Sequence, residues 1–149
     1  MRTLSKTGLL AAMLFTSAAA LAQTASPVGL WKTIDDETGN VKALVRITEE
    51  NGALQGKIEK LFRGPKEDQN PKCTECQDSR KNQPIVGMTI VSGLKKDGNE
   101  YTGGEILDPA KGKVYKSKAT LREGGKLLEV RGYIGAPMFG RSQVWQREQ

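Results

Sequence analysis

The chain has 149 residues, with 23 lysine and arginine residues against 17 aspartate and glutamate residues, and it contains no histidine. The missing imidazole excludes Ser-His-Asp and Cys-His catalytic machinery as well as histidine metal sites. Aromatic residues make up only 5% of the chain, which argues against a protein that reads nucleic acid by base stacking. We therefore predict a protein that is not an enzyme and has no cofactor, no metal and no nucleic-acid partner.

The first 22 residues have the organisation of a secretory signal peptide. Arg2 and Lys6 precede an apolar run over 9–15, small residues follow, and Ala20-Leu21-Ala22 forms an A-x-A cleavage site. The run is shorter than the roughly 20 apolar residues of a membrane span. We predict cleavage after Ala22, a periplasmic or secreted location, and no transmembrane segment in the mature part; an uncleaved anchor is the alternative.

Residues 23–149 suffice for one domain, and their apolar residues recur with a period of two, which is typical of strands. Short turns containing Asn51-Gly52, Asp97-Gly98 and Gly124-Gly125 separate the strands. The predicted strands cover 29–34, 41–48, 54–59, 85–94, 101–107, 113–122, 128–134 and 138–147. Consecutive hairpins favour an all-β fold, an eight-stranded antiparallel up-and-down β-barrel that leaves no exposed sheet edge. One long polar loop, 63–84, interrupts this pattern.

An eight-stranded barrel is either filled by side chains or holds one small ligand. Several positions predicted to face inward carry small residues. They are Gly56, Gly87, Gly103, Ser117, Ala119 and Gly132. Small residues leave space in the interior, although glycine also marks bends and bulges. We favour a hollow barrel and keep the filled barrel as the alternative.

The two ends of the barrel sequence carry a matching pair of motifs. Gly29-Leu30-Trp31 opens the first strand, and Trp145-Gln146-Arg147 closes the last. Because the first and last strands of a closed barrel are neighbours, Arg147 is predicted to lie across the Trp31 ring and to seal that end. Gly-x-Trp on the first strand with a basic residue on the last resembles the calycin superfamily, which includes lipocalins and fatty-acid-binding proteins.

The mature chain as a whole resembles a more specific group, the exported bacterial proteins known as domain of unknown function 2147. The matching stretches are GLWKTID (29–35), LQGKIEKL (54–61), CTEC (73–76), GEILDP (104–109), GKVY (112–115), VRGY (130–133) and FGRSQVWQR (139–147). The resemblance implies a lipocalin-like barrel. It implies no particular reaction or ligand.

The long loop contains Cys73 and Cys76. Export would place both thiols in an oxidising compartment, which favours an intraloop disulfide that pins the loop over one mouth of the barrel. A thiol–disulfide enzyme is the alternative, but that chemistry requires a helix after the Cys-x-x-Cys pair, and none is predicted here. A metal site is less favoured, because two thiolates would need further ligands such as Glu75 or Asp78.

The function that this barrel favours is the binding of a small, partly apolar or amphipathic molecule in its interior. The apolar candidates for contact with that ligand are Val45, Ile58, Leu121, Val130 and Phe139. The polar candidates are Glu105, Tyr115 and Arg141. A structural ion pair between Glu105 and Arg141 is the alternative for those two residues. The sequence leaves open which face of the last strand points inward.

A basic face on the outside of the barrel suggests a second kind of partner. Lys116, Lys118 and Arg122 share one side of a strand, and Arg131 is placed beside them. This face either makes weak contact with anionic envelope components or is simply solvated. A ligand-free envelope scaffold or interaction module, with its barrel packed solid, is the alternative function, and the volume of the interior distinguishes it from a binding protein.

Overall fold

The computed structural model describes residues 25–149, so the predicted signal peptide, 1–22, lies outside the described residues. Within the described part the chain forms eight strands and one short 3₁₀ turn at Glu123–Gly125. The strands are β1 Gly29–Ile34, β2 Val41–Glu50, β3 Ala53–Leu61, β4 Thr89–Asp97, β5 Glu100–Asp108, β6 Lys113–Arg122, β7 Leu127–Tyr133 and β8 Gly140–Arg147. Among residues 25–149 no helix has the length and apolar character needed to cross a membrane.

Each strand pairs antiparallel with the next, and β8 pairs with β1, so the sheet closes on itself. The predicted eight-stranded up-and-down barrel is confirmed. We call the end where β1 begins, with the β2–β3, β4–β5 and β6–β7 turns, the closed end. The opposite end carries the β1–β2, β5–β6 and β7–β8 turns and the segment 62–88, and we call it the open end.

Two strands begin later than the sequence pattern predicts. The apolar run from Ile85 does not start β4, because the Met88 amide donates to the Ile85 carbonyl and the Gly87 amide to the Ile58 carbonyl. The run therefore enters β4 through a turn, and pairing with β5 begins only inside the strand. Likewise, the Phe139 amide donates to the Ala136 carbonyl, which delays β8 until Gly140.

The small residues predicted to face inward divide into two groups. Gly56, Ser117 and Ala119 are buried, and a side chain at Gly56 would contact Val45 and Val91. Gly87 and Gly103, in contrast, are exposed, so their prediction as inward positions was wrong. Gly103 has a φ of 73° at a register shift between β5 and β6, which identifies it as a bulge residue.

Large apolar side chains fill the closed end of the barrel. Trp31, Leu94 and Leu128 are at most 2% exposed, and Leu54, the cross-strand partner of Leu94, is 3% exposed. Toward the open end the facing positions carry smaller residues, among them Ala43, Val45 and Gly132. The same barrel is thus packed solid in one half and has room in the other.

The segment 62–88 packs against the β5–β6 turn. Cys73 and Cys76 form a disulfide with an S–S distance of 1.98 Å, and both are fully buried. The Cys73 Sγ lies 3.5 Å from the Pro109 carbonyl oxygen. The Glu75 carbonyl oxygen would lie 1.8 Å from a Cβ placed on Gly112. The disulfide therefore braces the segment on the turn that joins β5 to β6.

Candidate ligand cavity

A cavity of about 400 Å³ occupies the open half of the barrel. Its deep wall is apolar, formed by Val45, Ile58, Val130 and the ring of Trp145, each no more than 3% exposed. Nearer the opening the wall is completed by further side chains. They include Thr33, Ile34, Ala43, Leu61, Ile85, Ile90, Ile106, Leu107, Tyr115, Tyr133, Ile134, Phe139 and Gln143.

The rim of the cavity carries four cations and one carboxylate, Lys42, Arg63, Lys111, Arg141 and Asp108. Two of the cations have acidic partners outside the cavity wall. Arg63 lies 3.3 Å from a carboxylate oxygen of Glu67, and Arg141 forms an ion pair with Asp36. Within residues 25–149 no carboxylate comes within 4.0 Å of the Nζ of Lys42 or Lys111. These two ammonium groups are the rim cations without a carboxylate partner.

The β1–β2 turn beside Lys42 also carries a fixed negative charge. The amides of Thr38 and Glu37 both donate to Oδ1 of Asp35 at 2.9 Å. Those hydrogen bonds, aided by the charge of Lys42, hold the pKa of Asp35 below its ordinary value. The Asp35 carboxylate is therefore occupied in closing its own turn.

Polar atoms are few inside the barrel. The indole Nε1 of Trp145 donates to Oε1 of Gln143 at 3.2 Å, so one polar pair lies on the β8 wall. Ser117 is fully buried, and its Oγ has no hydrogen-bond partner among the described residues. Ser117 pairs across the strands with Gly132, which lines the cavity. The interior is thus mostly apolar, with isolated polar groups near the wall.

Six of the eight residues predicted for ligand contact line this cavity. They are Val45, Ile58, Tyr115, Val130, Phe139 and Arg141. Leu121 and Glu105 do not line it, so their predicted placement was wrong. Leu121 pairs with Leu128 near the closed end and packs on the core there. Glu105 is exposed, because it alternates with the inward Gly104 and Ile106, and the acidic partner of Arg141 is Asp36 instead.

The structure also resolves the orientation of the last strand. Phe139, Arg141, Gln143 and Trp145 all line the cavity, so this set faces inward. Of the long segment, only the parts near its two ends, Arg63 and Ile85, contribute to the wall. The loop predicted to cover one mouth, 63–84, thus lies at the open end and contributes Arg63 to the cavity wall. Its two cysteines belong to the buried core cluster, and Cys73 lies beside the Pro109 carbonyl of the β5–β6 turn.

Sequence reasoning missed the rim cations Lys42, Arg63 and Lys111. In the sequence they resemble solvated charges, since each lies at a strand end or in a loop. The signal that identifies them is positional. Lys42 is among the first two residues of β2, and Arg63 and Lys111 follow the ends of β3 and β5, so all three come to the same end of an up-and-down barrel.

Arg147 closes the barrel at the opposite end. Its guanidinium carbon lies 4.3 Å from the centroid of the Trp31 ring. Its nitrogens donate to the carbonyls of Gly125, Val28 and Ser26 at 2.7, 3.0 and 2.6 Å. Burial lowers the pKa of this guanidinium, and these carbonyls replace the water that it loses.

Gly29 and Trp145, the other residues of the predicted closure, have separate positions. A Cβ on Gly29 would lie 2.4 Å from the Gln149 carbonyl oxygen, so glycine lets the chain ends approach closely. Trp145 is 1% exposed and separates the filled half of the barrel from the cavity. Trp31 thus packs at the closed end of the barrel, and Trp145 packs at the inner boundary of the filled half.

The basic outer face of β6 and β7 is partly neutralised. Lys118 lies 3.2 Å from Glu100, and Arg122 lies 2.7 Å from Glu129. The nearby Arg122 lowers the pKa of the Glu129 carboxyl group. Arg131 donates to the Pro137 carbonyl and to Ser142 Oγ. This arrangement agrees with a solvated face more than with a continuous anion-binding stripe.

A closed antiparallel barrel of eight strands, with an apolar cavity open at one end, defines a lipocalin-like protein. Protein HP1028 from the human pathogen Helicobacter pylori, described as belonging to the lipocalin family, has this fold with a TM-score of 0.72. Identity is 22%, and the match covers 85% of each chain, so it establishes the fold alone. No curated protein matches this chain. Residues 29–147 match the family described as "Uncharacterized protein conserved in bacteria (DUF2147)", and the chain belongs to that family.

Proposed function

We propose that this protein binds a small amphipathic molecule in the open half of its barrel. The observation that carries the proposal is the cavity itself, about 400 Å³ with a buried apolar wall. This volume falls within the range of roughly 300–1,000 Å³ that is typical of small-molecule sites. A ligand-free scaffold has no need of such a space, since empty volume forfeits packing energy.

The ligand carries a negative charge at the end that faces solvent. Lys42 and Lys111 lie at the rim with no carboxylate within 4.0 Å among the described residues, and the deep wall is apolar except for the hydrogen-bonded pair of Trp145 and Gln143. An anionic head between these ammonium groups would keep its charge near water while its apolar body fills the interior. The ligand class is therefore a carboxylate or phosphate with an aliphatic or aromatic body.

Binding takes place outside the cytoplasm, in the periplasm or after secretion. The signal-like sequence of 1–22 and the disulfide between Cys73 and Cys76 support this location, because disulfides persist in oxidising compartments. Both cysteines are fully buried, which supports a bracing role over thiol–disulfide exchange with a partner protein. The function proposed is non-enzymatic.

The direct test is titration with an environment-sensitive fluorescent fatty acid, followed by displacement with unlabelled compounds. We expect saturable binding of one probe per chain. A fatty acid should compete better than the alcohol of equal chain length, by about tenfold for one charge-assisted contact. Lys42→Gln with Lys111→Gln should remove this preference and leave the affinity for the alcohol unchanged.

A cavity-filling variant and a matched outer variant locate the site. Ala43→Phe places a ring against the cavity wall, whereas Thr120→Phe adds the same ring to β6 away from the cavity. Circular dichroism should report an intact barrel for both variants. Loss of probe binding in Ala43→Phe alone supports the proposal. Absence of saturable binding in the unmodified protein, or equal binding by both variants, contradicts it.

A further inference from the structure

Exposed large apolar side chains concentrate at the open end. Of the eight such residues among those described, six lie on the turns or strand ends of that end, namely Phe62, Val86, Val114, Ile134, Met138 and Phe139. Of the other two, Val28 lies at the closed end and Val144 within β8. Scattered apolar residues need no explanation, but a concentration around one opening marks an interaction surface.

The β7–β8 turn forms the most exposed part of this surface. Ile134, Met138 and Phe139 are 67%, 76% and 67% exposed. The turn is nevertheless well fixed. The Ile134 amide donates to the Phe139 carbonyl, and Nε of Arg131 donates to the Pro137 carbonyl at 2.6 Å. The fold therefore holds these three apolar side chains in solvent, and Phe139 also lines the cavity.

Cations outnumber carboxylates around this turn. Arg131 lies at its base, Arg141 follows it, and the neighbouring β5–β6 hairpin carries Lys111 and Lys113. The carboxylates of this region are Asp108, which opposes Lys113 across the strands, and three residues of the β1–β2 turn, Asp35, Asp36 and Glu37. Asp36 forms an ion pair with Arg141, and Asp35 accepts hydrogen bonds within its own turn. Glu105 opposes Lys116 further along the same hairpin. With Lys42 included, five cations stand against the four carboxylates of this region, so a small excess of positive charge remains, which complements an anionic surface.

A second copy of this chain fits the surface less well. Three side chains offer roughly 400 Å² on each copy, or about 800 Å² for a pair, whereas stable protein interfaces bury about 1,200–2,000 Å² in total. A symmetric pair would also bring like charges together, because Arg131 and Arg141 flank the same turn. A small apolar tip surrounded by cations is instead the composition of a peripheral membrane contact.

We infer that the open end docks on an anionic phospholipid bilayer. Ile134, Met138 and Phe139 enter the headgroup–acyl boundary, while Lys111, Lys113 and Arg131 contact lipid phosphates. Phe139 is shared by the docking surface and the cavity, so the opening faces the bilayer in the docked state. An amphiphile could then pass between bilayer and barrel without crossing bulk water.

Flotation with lipid vesicles tests the inference on the ligand-free mature protein. We expect association with vesicles of phosphatidylglycerol and phosphatidylcholine, and much weaker association with phosphatidylcholine alone. The triple variant Ile134→Ser, Met138→Ser, Phe139→Ser should lower the vesicle partition coefficient at least about tenfold. Lys111→Gln with Lys113→Gln should lower it by about fivefold for each charge and reduce the lipid preference.

Two controls separate docking from folding and from ligand binding. Lys95→Gln with Lys96→Gln removes the same charge from a closed-end hairpin and should leave association unchanged. Ala43→Phe, which fills the cavity, should still dock, so that a failed ligand proposal leaves this one intact. Equal association of the triple variant and the unmodified protein overturns the inference. So does a concentration-dependent dimer, seen by sedimentation, that the triple variant abolishes.

Discussion

The Arg147 guanidinium lies over the Trp31 ring, with its carbon 4.3 Å from the ring centroid, and joins the last strand of the barrel to the first. The contact is more than a cation–π pair, because the same guanidinium donates to three backbone carbonyls. The Trp31 indole nitrogen in turn donates to the Pro27 carbonyl at 2.8 Å. The side chains of Trp31 and Arg147 thus hold together the first and last strands and the chain segments just before β1 and β7.

Replacement of Arg147 should open this seam. We expect Arg147→Ala to lower the free energy of unfolding by about 2–4 kcal/mol, since three hydrogen bonds and the ring contact are lost together. The free energy of unfolding of Arg147→Lys should lie between those of the unmodified protein and Arg147→Ala, because an ammonium group cannot reproduce the planar set of donors of a guanidinium. Arg122→Ala removes an exposed arginine from the same end and should cost about 1 kcal/mol or less. Urea unfolding measures all three, and equal losses in the two alanine variants would contradict the assignment.

Replacement of Gly112, the glycine of the β5–β6 turn, should destabilise the protein. It has a φ of 66°, and a Cβ there would lie 1.8 Å from the Glu75 carbonyl oxygen. Gly112→Ala must therefore push the disulfide segment off the turn. Gly124→Ala is the matched control, because Gly124 has a φ of 65° with nothing within 4 Å of the added Cβ.

Gly124→Ala should lower the free energy of unfolding by about 1 kcal/mol or slightly more, because it adds backbone strain without a steric contact. Gly112→Ala should cost at least about 2 kcal/mol beyond that in urea unfolding. It should also make segment 62–88 sensitive to limited proteolysis. Identical stability and identical proteolysis of the two variants would show that the segment does not rest on Gly112.

The disulfide should resist reduction while the protein is folded. Cys73 and Cys76 are both 0% exposed, and thiol exchange requires an attacking thiolate to reach a sulfur. Thiol titration after dithiothreitol treatment should therefore find few free thiols in native buffer and two per chain in urea. Insulin should not be reduced by the protein. Rapid reduction in native buffer, together with insulin reduction lost in Cys73→Ser, would favour the redox alternative.

Asp78 makes a pH-dependent contact in the long segment. Arg80 donates to its carboxylate through the side chain and the backbone, which lowers the pKa of Asp78 from 3.8 to about 2. Because the pKa of Asp78 is lowered in the folded protein, its ionised carboxylate stabilises the fold at pH values above the ordinary pKa of an aspartate. This stabilisation is lost as the pH falls from about 4 toward 2. The effect should be small, because the pair is exposed to solvent.

A mutant cycle over that pH range isolates the contact between Asp78 and Arg80. Asp78→Asn should reduce the slope of stability against pH between about 4 and 2. In an Arg80→Gln background the same substitution should change the slope less, since the stabilising cation is gone. Urea midpoints at several pH values provide the slopes. An Asp78→Asn effect that is unchanged by Arg80→Gln would place the cause elsewhere.

The barrel could be predicted from sequence because alternation with a period of two is a local signal. The signal is clear where Val45 and Ile47 alternate with Arg46 and Thr48, and the turns between strands carry residues suited to a positive φ. Closure could also be anticipated, since Trp31 and Arg147 must become neighbours once eight strands curl together. These inferences need only the chain order of the strands.

The long segment and part of the site could not be predicted in this way. No periodicity indicates that Cys73 and Cys76 pack on the turn near Pro109, because that contact joins residues far apart in sequence. The alternation of inward and outward residues correctly predicts that the Leu121 side chain points inward. It does not indicate how far along the barrel axis that side chain lies. Glu105 was misplaced because the bulge at Gly103 shifts the register of β5.

The seam has a further practical consequence. The Leu30 amide donates to the Gln149 carbonyl at 3.0 Å, so the chain after β8 lies beside the start of β1. A linker or dye attached at Gln149 would lie at the far pole from Phe139 and the cavity rim. Immobilised through that residue on a sensor chip, the molecule would present its opening to the flowing solution, an orientation that suits biosensor design.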